Sequence, residues 1–190
     1  LNKAAYGQLS DTPPESYEDC MKNASKFSSA NLVAEALLYL DKAQQRATSS
    51  NEIIRVIVVK GELLRSTQDY QQALETLWSA EQHTVKSCDL LWRIKLLGRL
   101  AAVHQEYGSF AKTTKADSVI IYIDSALALA NIRPTKFQSE IASLNNEIGL
   151  YKFRKGFTPE ARKHYSIACS IFNRLGEKKN LVTPLSNLLE

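Results

Sequence analysis

The residues that could carry catalysis are few and widely separated in this sequence. His83, His104 and His164 have no histidine or carboxylate partner three or four residues further along, the spacing that zinc hydrolases use on a helix. Asp117 and Asp124 could pair their carboxylates two helical turns apart, but a solvated helix edge explains them as well. A Gly-x-Ser-x-Gly elbow and a glycine-rich phosphate loop are both missing. We therefore expect no enzyme activity, no metal ion and no cofactor.

The composition is that of an ordinary folded chain. Of the 190 residues, 44% are hydrophobic and 23% charged, with a net charge of +4, which excludes disordered and collagen-like proteins. Cys20, Cys88 and Cys169 are odd in number and far apart, so they predict neither a disulfide framework nor a metal site. Basic residues are mixed with acidic ones and no aromatic platform alternates with them, which argues against nucleic acid binding.

Few residues interrupt helices, and no segment is apolar enough to span a membrane. Seven glycines and five prolines favour long helices over many strands and tight turns. No run of about 18 apolar residues exists, so we expect no membrane span. Because the chain starts at Leu1 without an initiator Met, we expect a cut piece or a processed product. A cytoplasmic location is favoured, and an extracytoplasmic one stays open if a signal peptide was removed.

Four short segments repeat one arrangement of small and large residues. Each starts with a small or β-branched residue, carries a large apolar residue at its fifth place and ends in alanine at its eighth. Because positions i, i+4 and i+7 share one helical stripe, the pattern predicts four helices whose small ends allow a neighbour to approach closely. The segments are residues 36–43, 73–80, 119–126 and 161–168, and their large residues are Leu40, Leu77, Ile123 and Tyr165.

A second small residue precedes each of these segments. Gly61 and Gly149 lie 12 residues before the second and fourth segments, and Ala24 and Ala101 take this place in the first and third. A short turn and an aromatic residue follow, which predicts two antiparallel helices packed at their small faces. The third unit is longer between its helices, and we predict a mobile loop over residues 111–116.

These paired helices resemble the tetratricopeptide repeat, a helix–turn–helix unit, over about residues 15–190. The resemblance implies an all-α fold, a right-handed superhelical α-solenoid of stacked antiparallel hairpins. Its domains would be an N-terminal extension (1–14), four hairpins (15–177) and the first helix of a fifth unit (178–190) that we expect to continue beyond the sequence. The terminal alanines recur 37, 46 and 42 residues apart instead of about 34, so long units are expected, as in sensor regions of some bacterial regulators.

The pattern also predicts where helices begin. Two capping boxes are predicted, one over Thr12-Pro-Pro-Glu15 and one formed by Ser49 and Glu52. A cap is predicted at Thr158-Pro159-Glu160, and Pro134 is expected to open a helix. The predicted helices lie near residues 15–28, 31–47, 52–66, 70–86, 89–107, 117–131, 135–155 and 159–174.

The resemblance further implies a peptide-binding groove, because the first helices of such units line the concave face of the solenoid. Lys95 and Arg99 match half of the clamp with which some family members hold a peptide's C-terminal carboxylate. Val59, Met21 and Ser25 stand where the other clamp residues are expected, so the clamp is incomplete, and ordinary solvated side chains remain the alternative for the basic pair. The residues predicted to face the groove are Arg55, Val58, Glu62, Arg65, Lys95, Gly98, Arg99, Gln105, Asn146, Leu150 and Phe153.

Two functions from different classes follow. The first is a non-enzymatic protein–protein interaction module that binds a peptide or protein segment, with an acidic or carboxylate-bearing group drawn to Lys95, Arg99 and Arg55. Such a module would be the sensory or scaffold part of a larger signalling or transcription regulator. The alternative is a structural solenoid that self-associates into a homo-oligomer through its end, where Leu181, Leu185 and Leu188 lie at i, i+4 and i+7. One face of this last helix is expected to dock near Tyr165 and Phe172, and the opposite side would be an apolar strip that another copy could cover.

Overall fold

The computed structural model describes residues 15–84, 89–110 and 116–189, and within these ranges the chain is all-α without a β-strand. This confirms the predicted all-α class. The contacts divide the chain into two compact units, residues 1–47 and 48–190. Across the described ranges, no helix combines the length and the apolar character that crossing a membrane requires.

The first unit is one pair of helices, α1 (Tyr17–Ser29) and α2 (Val33–Arg46). The two helices pack along each other, and the Phe27 and Tyr39 rings stack between them with centroids 5.3 Å apart. Ala24 on α1 is buried, as expected for the small place of this unit.

The start of α1 differs from the prediction. A capping box is present, but Ser16 and Asp19 form it: the Ser16 hydroxyl accepts from the Asp19 backbone N–H, and the Asp19 carboxylate accepts from the Ser16 backbone N–H. Glu15 lies before the helix, where its carboxylate accepts hydrogen bonds from Asn23 and Lys42, so its predicted place in the box is wrong. Residues 12–14 of the predicted box lie outside the described ranges.

The second unit follows the order of the chain in its packing. Within it, α3 packs against α4 and α6, α6 packs against α7 and α8, α8 packs against α9, and α10 packs against α9 and α8. Helix α6 therefore packs against both α3 and α8. The helices are α3 (Ser50–Ser66), α4 (Tyr70–Trp78), α5 (Glu81–Thr84), α6 (Leu90–Phe110), α7 (Ala116–Ala130), α8 (Gln138–Arg154), α9 (Thr158–Leu175) and α10 (Lys178–Leu189).

Glycines allow close approach within two of the helix pairs. A Cβ atom built on Gly61 of α3 would come within 2.5 Å of the Leu77 side chain of α4. A Cβ atom on Gly149 of α8 would come equally close to the Tyr165 ring of α9. The small ends of the second and fourth repeated segments are also buried, as expected where a neighbouring helix approaches closely: Ala73, Ala80, Ala161 and Ala168 are fully buried.

The ends of the helices show where local sequence rules hold and where they fail. The box of Ser49 and Glu52 is confirmed, with both reciprocal hydrogen bonds present. The predicted cap at Thr158 is wrong, because Phe157 precedes the helix and Thr158 already belongs to its first turn. Pro134 does not open α8 either: turns run from residue 131 to 137, and the helix begins only after the buried Phe137.

Some predictions fall partly or wholly outside the described residues. The N-terminal extension at 1–14 and residues 111–115 of the predicted loop lie outside the described ranges. Ala116, the last residue of that predicted loop, is the first residue of α7. The predicted helix at 70–86 is interrupted, because α4 ends at Trp78. Leu181 on α10 packs against a buried cluster that contains Phe172 of α9, as expected, while the assignment of α10 to a fifth unit stays a prediction.

Candidate functional site

An ion-pair network joins α3 to α6. The Arg65 guanidinium donates two hydrogen bonds to the Glu62 carboxylate, at 2.7 and 3.1 Å, and also pairs with Glu106 of α6. A second ion pair joins the same two helices, because Nε of Arg99 on α6 lies 3.1 Å from the Glu62 carboxylate on α3. The predicted groove residues Glu62, Arg65 and Arg99 are thus brought together, and both arginines are already paired with carboxylates of the same unit.

This network shifts the pKa values of its members. Burial opposes the ionisation of Glu62, but the hydrogen bonds from Arg65 and the charge of Arg99 outweigh it, so the pKa of Glu62 is lowered. Burial would lower the pKa of the Arg65 guanidinium, yet its hydrogen bonds to Glu62 and the charges of Glu62 and Glu106 raise it further. Both groups therefore stay charged at neutral pH.

Further toward the start of α6, Lys95 and Arg55 share an aromatic neighbour. The Lys95 ammonium lies 5.0 Å from the centre of the Trp92 ring, and the Arg55 guanidinium lies 6.0 Å from it, distances at which cations are attracted to aromatic faces. Lys95 also lies 3.7 Å from the Glu140 carboxylate of α8. Lys95 thus connects α6 to α8 as Arg99 connects α6 to α3.

A cleft of about 260 Å³ lies between α6 and α8, beside these ion pairs. Gly98 leaves space in its α6 wall, because a Cβ atom there would approach only the Leu144 side chain, at 3.5 Å. From α10, Asn180 reaches the same cleft. The lining is mixed, with the apolar Ile94 and Leu144 beside Lys95, Arg99, Ser139, Glu140, Ser143 and Glu147.

Glu147, on the α8 wall of the cleft, differs from the other carboxyl groups. Burial raises its pKa, and the nearby carboxylates of Glu106 and Glu62 act in the same direction, while Arg99 and Arg65 offset this only in part. Within the described ranges, its carboxyl makes no hydrogen bond and no ion pair. Glu147 therefore keeps its proton to a higher pH than an ordinary glutamic acid.

The remaining predicted groove residues lie in different surroundings. Val58 and Gln105 are buried. Asn146 is nearly buried and accepts a hydrogen bond from the Asn187 amide of α10 at 3.1 Å. Leu150 is half-buried and Phe153 is exposed, and neither lines the cleft.

Several cleft residues were missing from the sequence prediction. Glu140, Ser143 and Glu147 follow each other at i, i+3 and i+7, so they share one face of α8, and this spacing is visible in the sequence. Glu147 also stands two residues before the small residue of its unit, as Arg99 does in the preceding one. That correspondence could have identified Glu147. Asn180 carries no comparable signal, because only the packing of α10 brings it to the cleft.

The described residues hold no cluster of histidine, cysteine and acidic side chains that could bind a metal ion. A scan against protein-family models finds no match, and a search of curated proteins finds no similar sequence.

Proposed function

We propose that this chain is a protein–protein interaction module without catalytic activity, a TPR-like α-solenoid that binds a peptide or protein segment along α3, α6 and α8. The observation that carries this proposal is the cleft beside Gly98. It is open, polar on several sides and adjacent to predicted groove residues from two helices. A larger protein with sensory or scaffold functions in signalling or transcription would be the natural setting of such a module.

The size and lining of the cleft suit part of an extended chain. A volume of about 260 Å³ is below that of sites for whole cofactors or drug-sized ligands, and it fits one or two side chains of a peptide. The Ser139 and Ser143 hydroxyls and the Asn180 amide nitrogen already donate hydrogen bonds within the chain, so the hydroxyl oxygens and the Asn180 amide oxygen can accept from peptide N–H groups. The apolar walls at Ile94 and Leu144 can bury the carbon atoms of an inserted side chain.

A cleft-filling substitution tests this proposal. Short peptides would be selected from a displayed library on the wild-type protein, and their affinity measured again with Gly98→Leu and Gly98→Ala. We expect Gly98→Leu, which places a side chain in the cleft, to weaken peptide binding at least about tenfold, while Gly98→Ala retains most of it. Circular dichroism would verify that both variants stay helical. Equal affinity for wild type and Gly98→Leu would place the binding surface elsewhere.

The exposed apolar residues of α10 favour a second candidate, self-association. Val182, Leu185 and Leu189 are 65%, 48% and 83% exposed on this helix. Replacing Val182 and Leu185 together by glutamate should abolish an oligomer held by this face, as measured by sedimentation velocity. Ile121→Glu on α7, also at an exposed position, is the matched control. A monomeric wild-type protein across the concentration range would exclude self-association.

A further inference from the structure

One carboxyl group beside the cleft takes part in none of the surrounding ion pairs. Arg65 pairs with Glu62 and Glu106, Arg99 pairs with Glu62, and Lys95 pairs with Glu140. In the described part of the network, three cations thus face four carboxyl groups. The fourth, Glu147, lines the cleft and makes no hydrogen bond or ion pair with a described residue, although the charges of Arg99 and Arg65 act on it from a distance. Glu147 is half-buried in the wall of the cleft, so a cation that enters the cleft can reach its carboxyl and would complete this arrangement of charges.

We infer that the cleft binds a lysine or arginine side chain of the partner segment, with its cationic head against the Glu147 carboxyl. This inference rests on the proposed function and specifies its ligand.

The cleft has the right lining for such a side chain. Lysine and arginine carry an aliphatic stem below their charge, and Ile94 and Leu144 offer apolar contacts for that stem. Ser143 lies one helical turn before Glu147 on the same face of α8, so its hydroxyl can accept a further hydrogen bond from the cationic head. Gly98 provides the space through which the stem would pass.

An acidic ligand group fits this arrangement less well. To reach Lys95 or Arg99 it would compete with Glu140 or Glu62, which already pair with those cations. It would also approach the Glu147 carboxyl, whose ionised form an added negative charge disfavours further, so the acidic group gains no attraction there. The charges of the cleft thus favour a basic segment over the acidic one expected from the sequence.

Binding of a cation should release a proton. The charged groups that act on Glu147 are Arg99 and Glu106 from α6 and Arg65 and Glu62 from α3, while α10 contributes the neutral Asn180 to the cleft. An added cation favours the ionised carboxylate, so the affinity for a basic ligand should increase as pH rises and Glu147 loses its proton.

A small probe tests the site directly. We would titrate isotopically labelled protein with n-butylammonium chloride and follow the backbone amides by NMR, with n-pentanol as a neutral probe and butyrate as an anionic one. We expect saturable shifts at Gly98, Ser143 and Glu147 with butylammonium only, and an affinity at least about fivefold lower in Glu147→Gln. Glu160→Gln, at an exposed position on α9, should bind like wild type.

The outcomes separate this inference from the proposed function. Absent or non-saturable shifts with butylammonium, unchanged affinity in Glu147→Gln, or stronger binding of butyrate would each overturn the inference. Gly98→Leu provides a second variant that keeps Glu147 and should also block butylammonium. If selected peptides depend on Gly98 but carry no common lysine or arginine, only the cationic ligand is wrong. If no peptide depends on Gly98, the proposed function fails, whatever the butylammonium titration shows.

Discussion

Two glycines on neighbouring helices, Gly149 and Gly98, have opposite surroundings. At Gly149 the space where a side chain would lie is filled by the Tyr165 ring, 2.5 Å from a hypothetical Cβ atom. At Gly98 the corresponding space is open, and the cleft begins there. The first glycine is required for packing between α8 and α9. The second is not required by its neighbours, so its missing side chain is available to a ligand.

The largest expected effect is at the filled glycine. Gly149→Ala forces the Cβ atom against a buried aromatic ring, and we expect a loss of about 1–3 kcal/mol in the free energy of unfolding, even after the helix-forming gain of alanine. Gly61→Ala should also destabilise the protein, because its Cβ atom would meet Cδ2 and Cγ of the fully buried Leu77 at 2.5 and 2.6 Å. Urea unfolding of both variants measures these losses. Equal stability of Gly149→Ala and wild type would contradict the close approach of α8 and α9.

A smaller effect is expected where ion pairs hold the helices together. Arg65→Met removes the partner of Glu106 and one of two partners of Glu62. We expect a loss of about 1–2 kcal/mol, less than for a fully buried pair because the three side chains are 22–35% exposed and water screens them. The loss should shrink at high salt in urea titrations. A loss that salt does not change would indicate that packing, and not charge, accounts for the effect of Arg65.

The same comparison explains what could be predicted from the sequence. Gly61, Gly149 and the alanines of the repeated segments recur at related spacings. The two glycines each meet a large residue of the adjacent helix and the alanines are buried, so packing within a pair was readable from the pattern. The cleft depends on pairs such as Arg65 and Glu106, which lie 41 residues apart. No local rule says which carboxylate will face which cation across two helices.

The predictions of helix ends succeeded or failed for a related reason. Ser49 and Glu52 form their box with hydrogen bonds inside one turn, so local sequence was sufficient there. At α8, Phe137 packs in a buried cluster with Ile94 and Leu144, and the helix starts after this anchor, not at Pro134. Tertiary packing, which the sequence pattern does not show, determined that boundary.

The pH dependence of stability should distinguish the paired from the unpaired carboxyl. Glu62 has a lowered pKa, so the stability that it contributes is present above its unfolded value of about 4.3 and is lost as pH falls through the folded pKa. Glu147 has a raised pKa, so its contribution is present below about pH 4.3 and is lost as pH rises through the folded pKa.

Glutamine substitutions at Glu147 and Glu62 allow the pH dependence that each carboxyl contributes to stability to be measured. Glu147→Gln should gain stability relative to wild type as pH rises from about 4.3 through the folded pKa of Glu147. Glu62→Gln should lose stability relative to wild type as pH rises from the folded pKa of Glu62 to about 4.3, and its deficit should then stay constant up to about pH 8. Urea unfolding at several pH values gives both trends. Parallel pH profiles for the two variants would show that Glu147 has a counter-ion, and the comparison between the two carboxyls would then be wrong.

The smallest effect is expected at the open glycine, and it bears most directly on the comparison. Gly98→Ala adds a methyl group that contacts Leu144 at an ordinary distance of 3.5 Å, so no neighbour has to move. Alanine also forms helix better than glycine, because its unfolded chain has less conformational freedom to lose. We expect a gain of about 0.5 kcal/mol in the free energy of unfolding, where the same substitution at Gly149 causes a loss. A loss at Gly98 as large as at Gly149 would mean that α6 and α8 are packed as tightly as α8 and α9. The cleft would then be closed in solution, and its proposed ligand would have no place to bind.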